Sequence, residues 1–213
     1  MRFQGRRAVV TGGLSGIGEA VAKRIESEGG KVAIWDMQGG IKTDISNWDS
    51  VQAAAAETVR QLGGIDILVN SAGIAGPTAT VLDVKIEDWH RTIAINLDGT
   101  FFTNRAVVPH MMAGNYGRIV NIASIAGKEG NPNASAYSAS KAAIVAFSSA
   151  LRSEVEDRGI TVKVFIPGLT ATPLTEQLSV RAPNLLTTGE VAVHMLKALD
   201  SPSSQYVTGS SYR

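Results

Sequence analysis

Residues 8–18 are Ala8-Val-Val-Thr-Gly-Gly-Leu-Ser-Gly-Ile-Gly18. A short apolar run enters a glycine-rich turn, and the turn passes directly into a helical pattern at residues 17–28. Glycine permits a tight turn and a close approach of a ligand to the backbone, and the start of a helix offers unpaired N–H groups to an anion such as a pyrophosphate. The stretch therefore predicts a strand, an anion-binding turn and a helix.

The next apolar run, residues 31–35, ends at Asp36, about twenty residues after the turn. A carboxylate in that place accepts hydrogen bonds from ribose hydroxyls and repels a 2′-phosphate. The spacing Gly12-x-x-x-Gly16-x-Gly18 departs from the usual G-x-G-x-x-G, and any sharp turn can use glycine. The prediction of dinucleotide binding therefore depends on the order of strand, turn, helix, strand and acidic residue.

Apolar runs alternate with longer amphipathic stretches along the rest of the chain. This alternation predicts an α/β fold, a doubly wound Rossmann-type parallel sheet with helices on both faces, in a single domain of residues 1–213. In such a sheet the ligand binds beyond the carboxyl ends of the strands. The later predicted strands are residues 65–69, 118–123 and 161–166, and the predicted helices are residues 17–28, 87–112, 136–158 and 190–199.

The composition excludes several classes of protein. The 213 residues are 44% hydrophobic and 18% charged, which suits one well-buried domain, and 20 basic against 19 acidic side chains predict neither a nucleic-acid nor a membrane partner. There is no cysteine, and His90, His110 and His194 lie far apart, so no metal site is predicted. With no signal-peptide core and no apolar span of about 18 residues, a cytoplasmic location is expected.

A second informative stretch is Ala134-Ser-Ala-Tyr-Ser-Ala-Ser-Lys141. Its tyrosine, Tyr137, lies thirteen residues after Ser124. On a helix, Tyr137 and Lys141 share one face, where the ammonium would lower the pKa of the phenol and allow proton exchange nearer neutral pH. A half-buried ring beside a solvated amine is the alternative. Ser138 to Lys141 also matches the S-x-x-K motif of penicillin-recognising acyl enzymes, but the S-D-N and K-T-G that this reaction needs do not occur.

Together these motifs resemble the classical short-chain dehydrogenase/reductase family along nearly the whole chain. Residues 11–18 are similar to its coenzyme motif, Asn70-Ser-Ala-Gly73 to its N-N-A-G, and Pro167-Gly168 with Thr172 to its segment beside the nicotinamide. The positions that resemble its catalytic tetrad are Asn96, Ser124, Tyr137 and Lys141.

The resemblance implies hydride transfer between a nicotinamide and a secondary alcohol or ketone. Tyr137 would be the general acid in reduction and the base in oxidation, and Lys141 would lower its pKa and hold the nicotinamide ribose. Ser124 would hydrogen-bond the reacting oxygen, and Asn96 would support a water-linked proton path. The alternatives are a strand-end serine that caps a turn and a polar kink in a long helix.

The expected coenzyme is NAD(H) rather than NADP, because Asp36 is acidic and neither Ser15 nor Met37 supplies a positive charge. Asp44 resembles the family's aspartate near the adenine, with Ile45 lining that pocket; an N-cap before Trp48 is the alternative. The expected coenzyme-binding residues are Gly12, Leu14, Ser15, Gly16, Ile17, Gly18, Asp36, Asp44, Ile45, Asn70, Ala72, Gly73, Tyr137, Lys141, Pro167, Gly168 and Thr172.

Three intervals depart from the family. Seven residues separate Asp36 from Asp44, where parallel strands need a crossover of about a dozen. Either the third strand is lost or reorganised, or the sequence joins residues across a segment that it omits; the second is favoured because residues 41–44 resemble the end of that strand. Sixteen residues between Pro173 and Glu190 make a short substrate lid, and the chain ends at residues 206–213, where relatives continue with a last strand.

These departures favour a rival function, a catalytically inactive dinucleotide-binding regulatory or scaffold protein, whereas the intact Ser124, Tyr137 and Lys141 favour the enzyme. An NADP-dependent carbonyl reductase is a further alternative, which Asp36 disfavours. The expected substrate is a small alcohol or carbonyl compound, and the polar loop 127–133 is similar to members that act on sugars, polyols or 3-oxoacyl groups. Residues 87–112 and 136–158 resemble the helices that the family pairs between subunits, so a homotetramer or dimer is expected. Packing of those helices on their own sheet is the alternative.

Overall fold

In a computed structural model that describes residues 1–177, 185–200 and 203–208, seven strands form one parallel sheet. The predicted fold class is confirmed. The spatial order is β3-β2-β1-β4-β5-β6-β7. The strands are β1 (Arg7–Thr11), β2 (Lys31–Asp36), β3 (Ile41–Lys42), β4 (Ile67–Asn70), β5 (Gly117–Ile122), β6 (Ile160–Pro167) and β7 (Gln205–Thr208).

Helices cover both faces of this sheet, because successive residues of each strand point to opposite faces and both sets are apolar. The helices are α1 (Gly16–Ser27), α2 (Trp48–Leu62), α3 (Ile86–Ile93), α4 (Gly99–Ala113), α5 (Ala126–Glu129), α6 (Ser135–Val155), α7 (Pro173–Gln177) and α8 (Thr188–Asp200). Val10 packs with α1 and α8, and Val9 packs with α2, α4 and α6.

The order of the strands fixes the place of a ligand site. After β1 the chain builds β2 and β3 on one side and then returns to the other side of β1 as β4, which creates a crevice between the loops that follow β1 and β4. The hydroxyl of Thr11 joins these loops, since it accepts the N–H groups of Ser71 and Ala72 at 3.0 and 3.1 Å. The glycine turn and the 71–73 segment therefore form opposite walls of one crevice.

The third strand is present but reduced. Ile41 pairs with Trp35 and Lys42 with Asp36 in parallel register, and only residues 37–40 connect the two strands. Gly40, with φ of +64°, supplies the left-handed turn that lets so short a connection return to the sheet. The third strand is therefore short, and a loop of four residues reaches it without a crossover helix.

Helix α2 begins one turn after Asp44, but Asp44 does not cap it. The cap is Asn47, whose side-chain oxygen accepts the N–H of Ser50 at 3.0 Å. The carboxylate of Asp44 instead accepts the N–H and the hydroxyl of Ser46 at 2.9 and 2.7 Å. The alternative interpretation of Asp44 as an N-cap is therefore wrong.

The end of the chain also differs from expectation. Gln205–Thr208 forms β7, parallel to β6, so a last strand is present. Residues 178–184 of the predicted short lid, and residues 209–213, lie outside the described residues. Within the described ranges, no helix is both long and apolar enough to cross a membrane. The division into a coenzyme-binding half, about 1–115, and a catalytic half, about 116–213, stays a prediction.

Candidate active site

A cavity of about 750 Å³ lies at the carboxyl ends of the strands. Its walls come from the loops after β1, β2, β4, β5 and β6 and from one face of α6. The predicted site residues that line it are Gly12, Ser15, Gly16, Ile17, Asp36, Asp44, Ile45, Ala72, Gly73, Ser124, Tyr137, Lys141, Pro167, Gly168 and Thr172.

The glycine turn has the geometry of an anion cradle. Gly12 has a φ of +63°, and a Cβ atom there would lie 2.9 Å from the Cα of Ala72. Ser15, the residue before α1, is extended and makes no side-chain cap, so the first N–H groups of α1 remain available to a ligand. A dinucleotide's pyrophosphate suits this end of the cavity, where unpaired N–H groups and the positive end of a helix dipole coincide.

Asp36 is held in one orientation at the end of β2. One carboxylate oxygen accepts the N–H of Leu14 at 3.3 Å, and the other accepts the N–H of Gln38 at 3.0 Å. Each oxygen keeps a further lone pair, because a carboxylate accepts about four hydrogen bonds in total. The carboxylate is thus fixed and still able to accept hydroxyl groups from a ribose.

Tyr137 and Lys141 both project from α6 into the cavity. They are 9% and 6% exposed, and the ammonium lies 5.7 Å from the centre of the tyrosine ring. Nζ of Lys141 donates a hydrogen bond to the carbonyl of Ile122 at 2.9 Å. Burial lowers the pKa of Lys141 from 10.5 to about 8. The two side chains therefore form a close pair in which the lysine can change protonation near neutral pH.

Ser124 follows β5 and faces the same space. Its hydroxyl oxygen accepts the N–H of Ala126 at 3.2 Å. Ser124 thus caps a turn, as the alternative interpretation of this residue expects. That bond uses a lone pair of the oxygen and leaves the hydroxyl proton for a ligand. The capping role and a role toward substrate are compatible.

Asn96 sits in a π-helical turn, Ala94–Asp98, between α3 and α4. Its side-chain oxygen accepts the N–H of Ile74 at 2.9 Å, and its nitrogen donates to the carbonyl of Ile74 at 3.0 Å and to the hydroxyl of Ser140 at 3.1 Å. The alternative interpretation of Asn96, a polar kink in a long helix, fits this arrangement. Asn96 lies behind the cavity wall, and its part in a proton path stays a prediction.

Comparisons with known proteins agree with this geometry. A sequence model of the short chain dehydrogenase family matches residues 36–182. The 2-dehydro-3-deoxy-L-rhamnonate dehydrogenase (NAD(+)) of Sphingomonas sp. is 46% identical over 191 residues, which cover 83% of this chain and 77% of that protein. The chain belongs to the short chain dehydrogenase family.

Two further relatives extend over nearly the full length of this short chain dehydrogenase. The 3-oxoacyl-[acyl-carrier-protein] reductase of Escherichia coli is 34% identical and covers 99% of this chain and 96% of its own. The structure of an NAD+-bound xylitol dehydrogenase superposes with a TM-score of 0.88 at 27% identity, covering 97% of this chain and 98% of that one. The short chain dehydrogenase is therefore an oxidoreductase by family.

Three predicted coenzyme residues of this dehydrogenase do not line the cavity. Leu14 supports Asp36 through its N–H, and Gly18 packs α1 so tightly on the turn that a Cβ would lie 2.3 Å from the carbonyl of Gly12. Asn70 is buried, donates to Asn121 at 2.8 Å and accepts the hydroxyl of Thr103 at 2.7 Å. Spacing alone does not reveal that the side chain of Asn70 points into the protein.

The sequence analysis missed several residues that line the cavity of this dehydrogenase. Arg91 is exposed on α3 and, among the residues that the structure describes, it and Lys141 are the two basic side chains that line the cavity. Ser138 does not line it and accepts the N–H of Asn131 at 3.1 Å, which agrees with the rejection of the acyl-enzyme interpretation. Other missed residues are Trp35, Met37, Gln38, Thr43, Ser46, Ser71, Ile74, Ala94, Ile95, Ile122, Ala123, Leu169, Thr170, Pro173, Leu174 and Thr175.

Proposed function

We propose that this protein transfers hydride between NAD(H) and a secondary alcohol or ketone. The observation that carries the proposal is the convergence of Ser124, Tyr137 and Lys141 on the same cavity as the glycine turn and Asp36. An inactive dinucleotide-binding protein would not need a buried lysine beside a tyrosine at the end of that cavity. Burying such a lysine destabilises the fold, and its retention favours a catalytic role.

The residues present fit a dinucleotide. The turn around Gly12 and the start of α1 would hold the pyrophosphate, Asp36 the adenosine ribose, and Ile45 with Asp44 the adenine side. Lys141 would hold the nicotinamide ribose, and Thr172 with Pro167 would flank the nicotinamide, all from the cavity wall. When bound, the nicotinamide supplies or accepts the hydride.

The chain's own groups would manage the proton. In reduction, Tyr137 would give its phenolic proton to the carbonyl oxygen, and in oxidation its phenolate would take the hydroxyl proton. Lys141 would stabilise the phenolate, since a positive charge at this distance favours the ionised phenol. Ser124 would donate a hydrogen bond from its hydroxyl to the reacting oxygen and hold that oxygen toward Tyr137.

The substrate class is proposed from similarity. The name of the Sphingomonas relative makes a 2-keto-3-deoxy sugar acid the first compound to test, followed by polyols and 3-oxoacyl thioesters. The assay is the change in NADH absorbance with the purified chain and each compound in both directions. Turnover with one class supports the proposal; NADH binding without any turnover across the panel would favour the inactive rival.

Replacing Asp36 by asparagine is expected to raise the affinity for NADPH relative to NADH by at least about tenfold. The like charges of the carboxylate and a 2′-phosphate repel, and about 1.4 kcal/mol corresponds to tenfold in a dissociation constant. Quenching of tryptophan fluorescence by each nucleotide measures the ratio. Asp49→Asn, which makes the same charge change outside the cavity, is the control, and an unchanged ratio in Asp36→Asn would contradict the role of Asp36.

We also propose a homo-oligomer that uses an aromatic face of α2, α4 and α6. Phe101 is 38% exposed and contacts the rings of Phe102 and Phe147, with centroids 5.7 and 6.1 Å away. Arg105 lies over both Phe101 and Trp48. Half-exposed rings beside an arginine are typical of protein interfaces.

Phe101→Glu is expected to shift the assembly in solution toward the monomer, because a buried unpaired carboxylate would have to enter the interface. Light scattering at matched concentration measures the mass. Leu82→Glu is the control, since Leu82 is 94% exposed and belongs to none of these three helices. A wild-type chain that is already monomeric would overturn this proposal.

A further inference from the structure

Ser140 lies between Tyr137 and Lys141 in sequence but does not reach the cavity. Its side chain is fully buried. The hydroxyl donates to the carbonyl of Tyr137 at 2.7 Å and accepts the side-chain nitrogen of Asn96 at 3.1 Å. One small side chain therefore connects the backbone of the proposed acid to the π-helical turn.

The other contacts of Asn96 extend this connection to the cavity wall. The side chain of Asn96 hydrogen-bonds both the N–H and the carbonyl of Ile74. Its side-chain oxygen would lie 3.0 Å from a Cβ atom on Gly73. The same hypothetical Cβ would lie 3.7 Å from Nζ of Lys141. The loop after β4, the π-helical turn and the first turns of α6 thus meet within a few ångströms of the ammonium.

We propose that Ser140 is a positioning residue that sets Tyr137 and Lys141 against the wall formed by Gly73 and Ile74. The inference rests on the proposed function, in which that wall faces the coenzyme. Asn96 has two side-chain N–H groups, one for Ile74 and one for Ser140, and it is completely buried. Removing the hydroxyl of Ser140 leaves a buried N–H group of Asn96 without its acceptor. Asn96 and Ile74 are then no longer held in a fixed position relative to α6.

The same helix provides a matched control two turns away. Ser148 is buried, donates to the carbonyl of Ile144 at 2.7 Å and accepts the side-chain nitrogen of Asn121 at 2.9 Å. Its chemistry repeats that of Ser140, with an asparagine from another element and a carbonyl of the preceding turn. Ser148 does not line the cavity or contact its wall residues in these bonds.

The experiment compares Ser140→Ala with Ser148→Ala in the full chain. Both variants are expected to lower the melting temperature by similar amounts, since each loses an equivalent pair of hydrogen bonds. Only Ser140→Ala is expected to lower kcat/KM, by about tenfold, because displaced catalytic groups lose their alignment. Ser140→Ala is also expected to shift the pH dependence of kcat/KM by about half a pH unit or more, because water gains access to Lys141.

A readout without substrate or coenzyme separates this inference from the proposed function. Competitive labelling of lysines with trace acetic anhydride over a pH series gives the apparent pKa of Lys141 by peptide mass spectrometry. A shift in Ser140→Ala and none in Ser148→Ala supports the positioning role, even if no substrate is turned over. Equal behaviour of the two variants would overturn it.

If Ser140→Ala fails to fold, Ser140→Cys and Ser148→Cys replace the pair. A thiol is larger than the hydroxyl and is a weaker acceptor, so it weakens the bond from Asn96 without opening a cavity. The same labelling comparison then decides between the two outcomes.

Discussion

Replacing Tyr137 by phenylalanine is expected to lower kcat by about 10³-fold, the usual contribution of a positioned acid or base. The ring would still pack beside Lys141, because only the phenolic oxygen is lost, so NADH affinity is expected to stay within about twofold. Stopped-flow measurement of the hydride step, with fluorescence titration of NADH, tests both parts.

Tyr116→Phe is the matched control for that experiment. Its ring lies against Arg6 and Arg118, and it does not line the cavity. The control is expected to retain full activity. A Tyr137→Phe variant that keeps more than about a tenth of wild-type kcat would exclude the tyrosine as the main proton donor.

Replacing Lys141 by methionine is expected to lower kcat/KM by about 10²-fold or more and yet raise the stability of the fold at pH 7. The activity falls because the phenolate loses its neighbouring positive charge. The stability rises because a pKa of about 8 in place of 10.5 means that burial of the charged lysine costs about 3 kcal/mol. The lost hydrogen bond to Ile122 offsets part of this gain.

The pH dependence of stability has a definite sign. Below about pH 8 both the folded and the unfolded chain carry a charged Lys141, and the full cost is present. Between about pH 8 and 10.5 the unfolded chain binds more protons than the folded chain, so the stability of the wild type rises with pH by up to about 3 kcal/mol. Above that range both states are neutral and the rise ends.

Urea unfolding of the wild type and Lys141→Met at several pH values measures this difference. The advantage of the methionine variant is expected to shrink from pH 8 to 10.5. Lys163→Met is the control, since Lys163 is also buried, bonds the carbonyl of Ser203 at 2.8 Å and lies away from the cavity. It is expected to change stability but not activity. A pH-independent difference for Lys141→Met would mean that the lysine is not desolvated.

The fold could be predicted from the sequence because apolar runs and glycine turns are local signals. The strand and helix around residues 7–27 and the paired strands β5 and β6 were placed within one or two residues. Helix α2 was not among the predicted helices, although an N-cap before Trp48 was considered as an alternative; its buried residues, Val51, Ala54, Ala55 and Thr58, follow the helical spacing. A lost or reorganised third strand was one of the two explanations considered for the short interval from Asp36 to Asp44, and the two-residue β3 lies in that interval.

The candidate site was predictable where residues follow strands directly and less so elsewhere. Asp36 and Ser124 line the cavity as expected, because strand ends meet at one edge of a parallel sheet, and Tyr137 lines it from α6, where it shares a helix face with Lys141. Asn70 also ends a strand, yet it points into the protein, and spacing cannot tell the two faces apart there. Arg91 and Ile95 enter the site from a long helix whose rotation depends on an irregular turn that no sequence pattern announces.

The π-helical turn Ala94–Asp98 limits which changes of chain length this protein can accept. A π-helical turn holds about one residue more than an α-helical turn. Deleting one of its five residues would give a regular α-helix and change the direction in which Asn96 projects, so its bonds to Ile74 would be lost. Changes of chain length at these positions are therefore expected to disturb the cavity wall even where they make the helix more regular.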